Sequence, residues 1–261
     1  MKMDVIIFGG QSNMQGASYS VPENNAPVDG AVEYKWNEKR VVPMQHPAGE
    51  TFGEYILAAA KDGGSLLPDF CRAYIKDSGR EVFAIPAACG NTTIGQWLYG
   101  TQRYHYARQK ILAGIEYARS LGKVEHIYYV WLQGESDAVI GTTEDEYIER
   151  VTDFKKCLVR DFGIEKFCII KVGYFCAVNK WYRECVATNE QGKICDEVIM
   201  EAQDKLPSLD PDFVMLTDIA PKLSLIDDYK NFDALGHFNN EGYRLIGEAA
   251  GAALAEMVKG E

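Results

Sequence analysis

The sequence has few features of a nucleic-acid-binding or membrane protein. Of its 261 residues, 27 are lysine or arginine and 38 are aspartate or glutamate, so the net charge is −11. This balance leaves no basic stripe that could neutralise a phosphate backbone or an anionic membrane surface. No stretch approaches the roughly 18 consecutive apolar residues that are typical of a membrane span. We therefore expect neither nucleic acid nor a membrane among the partners of this protein.

Metal-binding and disulfide patterns are also missing. The seven cysteines never form a Cys-x-x-Cys pair, and the histidines include no His-x3-His pair. An odd number of cysteines in segments with helix or strand character is typical of reduced thiols. The N-terminus has an apolar run of only four residues, at 5–8, which is too short for a signal peptide. We predict a cytoplasmic protein without a bound metal.

The sequence does have the composition of a globular protein with a large core, with 47% hydrophobic residues. Five apolar runs alternate with segments of helical periodicity, and such runs are typical of strands buried on both faces of a parallel sheet. The runs cover residues 5–8, 82–85, 126–132, 167–174 and 213–217. The alternation predicts one domain over residues 1–261, a three-layer α/β/α sandwich around a doubly wound, five-stranded parallel sheet of the flavodoxin-like type.

Two helical segments and one long connection stand out. Thr143 and Glu146 form a capping box ahead of an apolar helix face. In the last helix, small alanines between larger apolar residues predict a close approach to the sheet. Residues 18–64 contain four prolines and little periodicity. That segment is long for a loop in a compact domain, so we expect a functional insertion that overhangs the site.

Polar residues follow three of the predicted strands at the sheet edge where doubly wound folds bind ligands. Ser12 follows the first strand in a glycine-rich turn whose spacing matches neither nucleotide-binding motifs nor the Gly-x-Ser-x-Gly elbow. Gln133 and Glu135 follow the third strand, and His237 lies in a polar loop after the fifth. Each alone is explained by an ordinary turn or helix cap. Together, a serine, an acid and a histidine indicate a nucleophile, its orienting group and a base.

These blocks resemble the SGNH hydrolases, specifically the branch of sialate O-acetylesterase-like enzymes and acetylxylan esterases (carbohydrate esterase family 6). The matching segments are GQSNM at 10–14, IPAACGNTTIGQW at 85–97, QGESD at 133–137 and HFNNEG at 237–242. The resemblance implies the SGNH hydrolase fold and a serine esterase that hydrolyses O-acetyl esters on sialic acid or acetylated oligosaccharides through an acyl-enzyme. It implies no cofactor, and a homo-oligomer is compatible with it.

Carried over position by position, the resemblance makes Ser12 the nucleophile and His237 the base. The backbone N–H groups of Ser12 and Gly90 would form the oxyanion hole, with the side-chain amide of Gln133 as a third donor. Candidates for substrate contacts in the same blocks are Gln11, Asn91 and Trp97.

Two acids compete for the role of orienting His237. The family pattern sets an acid three residues before the histidine, whereas Asp233 stands four residues before it. In a short loop, a shift of one residue would swing the carboxylate away from the imidazole. We therefore expect Glu135 to orient His237 and Asp233 to be secondary.

Aromatic and basic residues outside these blocks are candidates for sugar binding. Possible platforms for a sugar ring are Trp36, Trp97, Trp181 and Tyr182. A sialate carboxylate would need a nearby cation, for which the candidates are Arg103, Arg108 and Arg183. Three other functions stay open: a catalytically weak carbohydrate-binding protein on the same fold, an SGNH esterase for a non-carbohydrate acyl ester, and a flavin or nucleotide binder.

Overall fold

The structure is a computed structural model that describes residues 2–23, 25–59, 63–179 and 193–260. Within these ranges the strands form one seven-stranded sheet. The strands are β1 (Met3–Gly10), β2 (Ala31–Lys35), β3 (Arg40–Pro43), β4 (Glu81–Ala88), β5 (Val124–Leu132), β6 (Lys166–Ile170) and β7 (Phe213–Thr217). The helices are α1 (Ser12–Gln15), α2 (Leu67–Ser78), α3 (Gln102–Leu121), α4 (Glu135–Ile140), α5 (Glu144–Phe162), α6 (Cys195–Leu209), α7 (Ile219–Leu223) and α8 (Asn240–Lys259), with 3₁₀ turns at Ile94–Trp97 and Asp227–Tyr229.

The sheet has the order β3-β2-β4-β1-β5-β6-β7. All neighbouring strands are parallel except the antiparallel pair β2 and β3. The five predicted strands are β1, β4, β5, β6 and β7, and their order is the flavodoxin-like one. The α/β class and the doubly wound sheet are thus confirmed.

The predicted number of five strands was wrong, because the segment 18–64 contributes β2 and β3 to the sheet. Strand β2 continues the parallel sheet beside β4, where Ala31 pairs with Val82, and β3 forms the edge. Strand β2 carries a buried Glu33, whose Oε1 accepts hydrogen bonds from Lys35 Nζ at 2.7 Å and from Gly49 N at 2.9 Å. A charged residue inside a strand and a half-exposed edge strand obscure the apolar pattern by which strands are recognised.

The helices cover the sheet in two packed groups, α2 with α8 and α3 with α5 and α6. The capping box of α5 is present, because Thr143 Oγ1 accepts from Glu146 N at 3.3 Å and Glu146 Oε2 accepts from Thr143 N. Helix α8 packs on β7 of the sheet and also on α2, where the close approach depends on glycine: a Cβ on Gly251 would lie 2.2 Å from Phe70 O. In the described part of the chain, no helix combines the length and apolar character needed to span a membrane.

The central strand β1 brings three strand ends together. Gly10 is in register with Ala88 of β4 on one side and with Leu132 of β5 on the other. After β1 the chain forms β2, β3 and β4 on one side of it and then crosses to β5 on the other side, so this is the switch point at which doubly wound folds leave a crevice for ligands. The segments that follow β1, β4 and β5 therefore meet at one edge.

Candidate active site

The turn after β1 places Ser12 at this edge. Gly10 has a φ of +138°, and a Cβ there would lie 2.1 Å from Leu132 O, so only glycine fits. The next residue, Gln11, donates its backbone N–H to Leu132 O at 3.0 Å, and α1 begins at Ser12. The glycines of this turn thus serve strand packing, which accounts for them without a phosphate ligand.

Ser12 and His237 form a hydrogen-bonded pair. Ser12 Oγ lies 2.7 Å from His237 Nε2, and His237 Nδ1 lies 3.0 Å from Ala234 O. A carbonyl oxygen can only accept, so Nδ1 carries a proton and Nε2 of the neutral ring is the acceptor for the Ser12 hydroxyl. Burial lowers the pKa of His237, which favours this neutral ring.

The loop that carries His237 is attached to the segment after Ser12. Asn13 Nδ2 donates to Gly236 O at 3.2 Å and to Glu135 Oε1 at 2.7 Å. Tyr243 OH, from α8, donates to Asn13 Oδ1 at 2.9 Å. Asn13 is itself almost completely buried. Segments far apart in the chain are therefore held together by one asparagine side chain.

Neither candidate acid contacts His237 directly. Glu135 is buried and reaches the histidine loop only through Asn13, and its Oε2 has no hydrogen-bond partner among the described residues. Burial raises the pKa of Glu135 to about 7. Asp233 is exposed. The imidazole therefore donates to neither acid, because Ala234 O is the acceptor for the Nδ1 proton.

Of the two predicted oxyanion donors outside α1, Gly90 lies beside the nucleophile and Gln133 does not. Gly90 lies next to Ser12, since a Cβ on Gly90 would be 3.4 Å from Ser12 Cβ. Its N–H donates to the side-chain oxygen Oε1 of Gln15 at 3.0 Å. Gln133, in contrast, is completely buried, and its Nε2 donates to Thr92 O at 2.8 Å and to Asp137 Oδ2 at 2.5 Å. The Gln133 amide is thus engaged in the interior and does not line the cleft.

Of the predicted substrate contacts, two line the cleft and one does not. Gln11 lines it, with its Oε1 fixed by Ser136 N at 3.2 Å and by Gln133 Nε2 at 3.3 Å, and exposed Asn91 lines it too. Trp97 is completely buried and donates from Nε1 to Thr92 Oγ1 at 3.0 Å. Its ring belongs to the core, so the expected substrate contact is not formed.

The cleft around Ser12 and His237 has a volume of about 580 Å³. Polar side chains on its walls are Gln11, Gln15, Asn91, Thr93 and Ser136. Apolar and aromatic residues on its walls are Ala17, Tyr19, Leu57, Val139, Ile140 and Phe175. Tyr19 and Leu57 belong to the segment 18–64, so part of this insertion does border the site. The mixture suits a ligand with both hydroxyl groups and apolar carbon faces.

The other candidates for sugar binding do not line this cleft or fall outside the described residues. Trp36 packs on Phe52, with ring centroids 4.3 Å apart. Arg108 is paired with Asp161 at 2.7 Å, and Arg103 donates to Glu54 O at 3.4 Å. Trp181, Tyr182 and Arg183 fall outside the described residues. Among the described residues that line the cleft, none is lysine or arginine.

The structure shows three further residues at the site that were not predicted from the sequence. Asn13 lies inside the matching GQSNM block, so its position was available but its contacts were not. Gln15 stands three residues after Ser12, one helical turn away, and carries no motif of its own. Ala234 acts through its backbone carbonyl, which no side chain in the sequence can signal.

Of three comparisons with known proteins, two found similarities. A family model described as carbohydrate esterase, sialic acid-specific acetylesterase matches residues 2–253. None of the curated proteins matches the chain. Similar solved structures are a protein from Arabidopsis thaliana (TM-score 0.63, 18% identity, 97% of this chain and 98% of the other) and NanS (TM-score 0.65, 13% identity, 99% and 98%). A carbohydrate acetylesterase from Xanthomonas citri is also similar (TM-score 0.59, 17% identity, 99% and 57%).

The similar structures confirm the fold, and the family model covers nearly all of the chain that carries the sheet edge, the Ser12–His237 pair and the cleft. The resemblance to sialate O-acetylesterase-like enzymes is thereby confirmed. The chain belongs to the sialic acid-specific acetylesterase family of carbohydrate esterases, and it is a carboxylic ester hydrolase.

Proposed function

We propose that this protein is a serine esterase that removes acetyl groups from the hydroxyls of carbohydrates, with Ser12 as nucleophile and His237 as base. The observation that carries the proposal is the 2.7 Å hydrogen bond between Ser12 Oγ and His237 Nε2 at the wall of the cleft. A nucleophile within hydrogen-bond reach of a base, which is in turn oriented by a third group, is the arrangement that acyl transfer requires. Here the third group is the carbonyl of Ala234.

The first half of the reaction forms an acyl-enzyme. Ser12 Oγ attacks the acetyl carbonyl carbon while His237 Nε2 takes the hydroxyl proton. The carbonyl π electrons move onto the oxygen, and the N–H groups of Ser12 and Gly90 hold this oxyanion. As the carbonyl re-forms, the bond to the sugar oxygen breaks and His237 gives its proton to that oxygen. The sugar leaves with a free hydroxyl, and the acetyl group stays on Ser12.

The second half releases acetate. Water attacks the acetyl carbon of the acyl-enzyme while His237 Nε2 takes a water proton. The new tetrahedral oxyanion uses the same two N–H groups. When it collapses, Ser12 Oγ leaves and recovers its proton from His237, which restores the starting state. This chemistry uses only residues of the chain and one water molecule.

Two classes of acetylated sugar fit the proposal. Asn91, Thr93 and Ser136 offer hydrogen bonds to sugar hydroxyls, and Phe175 offers an aromatic face. O-acetylated sialic acid would also need a cation for its carboxylate, whereas neutral acetylated oligosaccharides would not. The relative rates of acetate release from these two classes of ester show which of them is the preferred substrate.

Acetate release from a small panel of esters tests the proposal. The panel contains O-acetylated sialic acid, acetylated xylo-oligosaccharides and a chromogenic aryl acetate, and Ser12→Ala is the control. We expect release from at least one sugar ester that disappears in Ser12→Ala, and the preferred ester names the substrate class. Release from the aryl acetate alone would favour a non-carbohydrate ester, and no Ser12-dependent release would favour a catalytically weak binding protein.

The role of Glu135 is tested by comparing two substitutions. We propose that Glu135 is a positioning residue that acts through Asn13. Glu135→Gln keeps an oxygen that can accept from Asn13 Nδ2, so we expect kcat/KM within about tenfold of wild type. Glu135→Ala removes that oxygen, so Asn13 and the His237 loop bonded to it are held less firmly, and a misplacement of about 1 Å typically costs about 100-fold. Steady-state kinetics on an acetyl ester measures both.

Asp233→Asn is the matched control, because this exposed carboxylate forms no hydrogen bond to His237 and its loss should leave kcat/KM unchanged. A collapse of activity in Glu135→Gln as deep as in Glu135→Ala would contradict the positioning role, since it would mean that the negative charge itself is required. A collapse in Asp233→Asn alone would assign the orienting role to Asp233.

A cytoplasmic location stays a prediction that we carry forward. The six cysteines in the described part of the chain form no disulfide, which fits a reducing compartment. Cell fractionation with the natural host would test it.

A further inference from the structure

The oxyanion donor Gly90 already has a partner in the free protein. Its N–H donates to Gln15 Oε1 at 3.0 Å, and the other end of the same amide, Gln15 Nε2, donates to Ala58 O. Gln15 is partly exposed and lines the same cleft as Ser12 and His237. A neutral side chain of the protein therefore occupies a hydrogen bond that the proposed reaction needs.

The substrate and Gln15 compete for this donor. A Cβ built on Gly90 would lie 3.0 Å from Gln15 Oε1 and 3.4 Å from Ser12 Cβ, so the amide oxygen sits close to Gly90 on the side of the nucleophile. One N–H makes one well-aligned hydrogen bond. The oxyanion that forms on Ser12 can accept from Gly90 only after Gln15 Oε1 has moved away.

We infer that Gln15 occupies the oxyanion position in the resting protein and that substrate must displace it. This inference rests on the proposed function. The amide carbonyl of Gln15 resembles the ester carbonyl in its acceptor oxygen, so it satisfies the Gly90 N–H while the cleft is empty. Gln15 is thus a residue that tunes the reaction without taking part in the proton transfers.

A fixed segment of the insertion keeps Gln15 in this place. Ala58 O accepts from Gln15 Nε2, and the preceding residue, Leu57, donates its backbone N–H to Ala88 O at the end of β4 at 3.1 Å. The acceptor for Gln15 is therefore tied to the same strand end from which Gly90 follows. Displacing Gln15 breaks two hydrogen bonds, so the segment 18–64 influences activity through this contact.

Replacing Gln15 with methionine tests the inference. Methionine has a similar length but neither the acceptor for Gly90 N–H nor the donor for Ala58 O. We expect kcat/KM for an aryl acetate to rise about fivefold or more, because displacing wild-type Gln15 costs at least one hydrogen bond of average net strength, which corresponds to about that factor. We also expect the Gly90 amide hydrogen to exchange with solvent at least about tenfold faster, measured by NMR or mass spectrometry. Gln109→Met, at an exposed glutamine on α3, is the matched control.

Gln15→Glu gives a test of opposite sign. A carboxylate accepts from Gly90 N–H more strongly than an amide does, although it cannot donate to Ala58 O. We expect kcat/KM below that of wild type at neutral pH. The ratio of the two kcat/KM values should approach one when both proteins are assayed at a pH low enough to protonate the carboxylate, because protonation of His237 lowers both values alike.

Two results would overturn the inference. A lower kcat/KM in Gln15→Met, with the fold intact by thermal unfolding, would mean that Gln15 assists the reaction. Unchanged exchange of the Gly90 amide would mean that the contact does not protect this donor. The exchange measurement does not depend on catalysis, so it still reports on Gln15 if acetate release proves independent of Ser12, which would refute the proposed function alone.

Discussion

Replacing His237 with alanine is expected to lower kcat/KM for acetyl esters by at least about 10⁴-fold, the scale seen when the base of a serine hydrolase is removed. The reason is geometric: Nε2 of His237 is 2.7 Å from Ser12 Oγ, and its loop is fixed by Asn13 and Ala234. Without the imidazole, a serine hydroxyl near pH 7 is a weak nucleophile. Steady-state kinetics with a chromogenic acetate measures the loss.

The matched control is His105→Ala. His105 is exposed, lies near the start of α3 and contacts Gln109, so its loss should leave kcat/KM unchanged. A His237→Ala variant that keeps more than about a tenth of wild-type activity would exclude His237 as the general base.

The pH dependence of kcat/KM gives a second view of the same residue. His237 must be neutral to accept the Ser12 proton, so activity falls as the pH drops through the pKa of His237. Burial lowers this pKa from the ordinary histidine value of about 6.5, so the acidic limb should lie below that value. Burial raises the pKa of Glu135 to about 7, so this carboxyl group could also change its charge near neutral pH. The fall in kcat/KM at acidic pH should therefore persist in Glu135→Gln, because we assign it to His237.

The second large effect concerns stability. Lys110→Ala is expected to lower the free energy of unfolding by about 3–5 kcal/mol, the usual cost of removing one partner of a buried ion pair. Lys110 of α3 is completely buried, and its Nζ lies 2.7 Å from Glu50 Oε1. The Glu50 carboxylate also accepts from Trp36 N at 2.7 Å and Asn37 N at 2.9 Å. Without Lys110, a charge in the insertion would stay buried and unpaired.

Urea unfolding measures this difference, with Lys156→Ala as the matched control. Lys156 forms an exposed ion pair with Asp153 at 2.9 Å on the surface of α5, and such pairs rarely contribute measurably. A loss below about 1 kcal/mol in Lys110→Ala would contradict the account of the buried pair. Adding Glu50→Gln to Lys110→Met should recover part of the loss, since both charges are then gone.

The central part of the fold could be predicted from the sequence because its strands and helices carry recognisable local patterns. Strands β1, β4, β5 and β7 are near-continuous apolar runs, and the Thr143–Glu146 capping box marks the start of α5. The strands of the segment 18–64 could not be predicted in this way. Strand β2 is stabilised by the Glu33–Lys35 pair and by the nearby Lys110–Glu50 pair, and ion pairs of this kind leave no periodic apolar pattern.

Some features of the active site could likewise be predicted from the sequence, and others could not. Ser12, Gly90 and His237 are brought together as expected, because they follow strands whose order could be inferred. The partner of His237 could not be inferred, since it is the backbone oxygen of Ala234. Gln133 and Trp97 lie in matching blocks yet face the interior, and the side of an element on which a side chain lies depends on packing that a motif does not encode.

The covalent intermediate is the most direct test of the central claim that Ser12 carries the acyl group. Wild-type protein is mixed with an aryl acetate, quenched in acid during the first turnovers, digested and analysed by mass spectrometry. We expect one acetyl group on the peptide that contains Ser12, and none in Ser12→Ala. Acetate release by wild type with the acetyl group on another residue, or equal acetate release by Ser12→Ala, would contradict it.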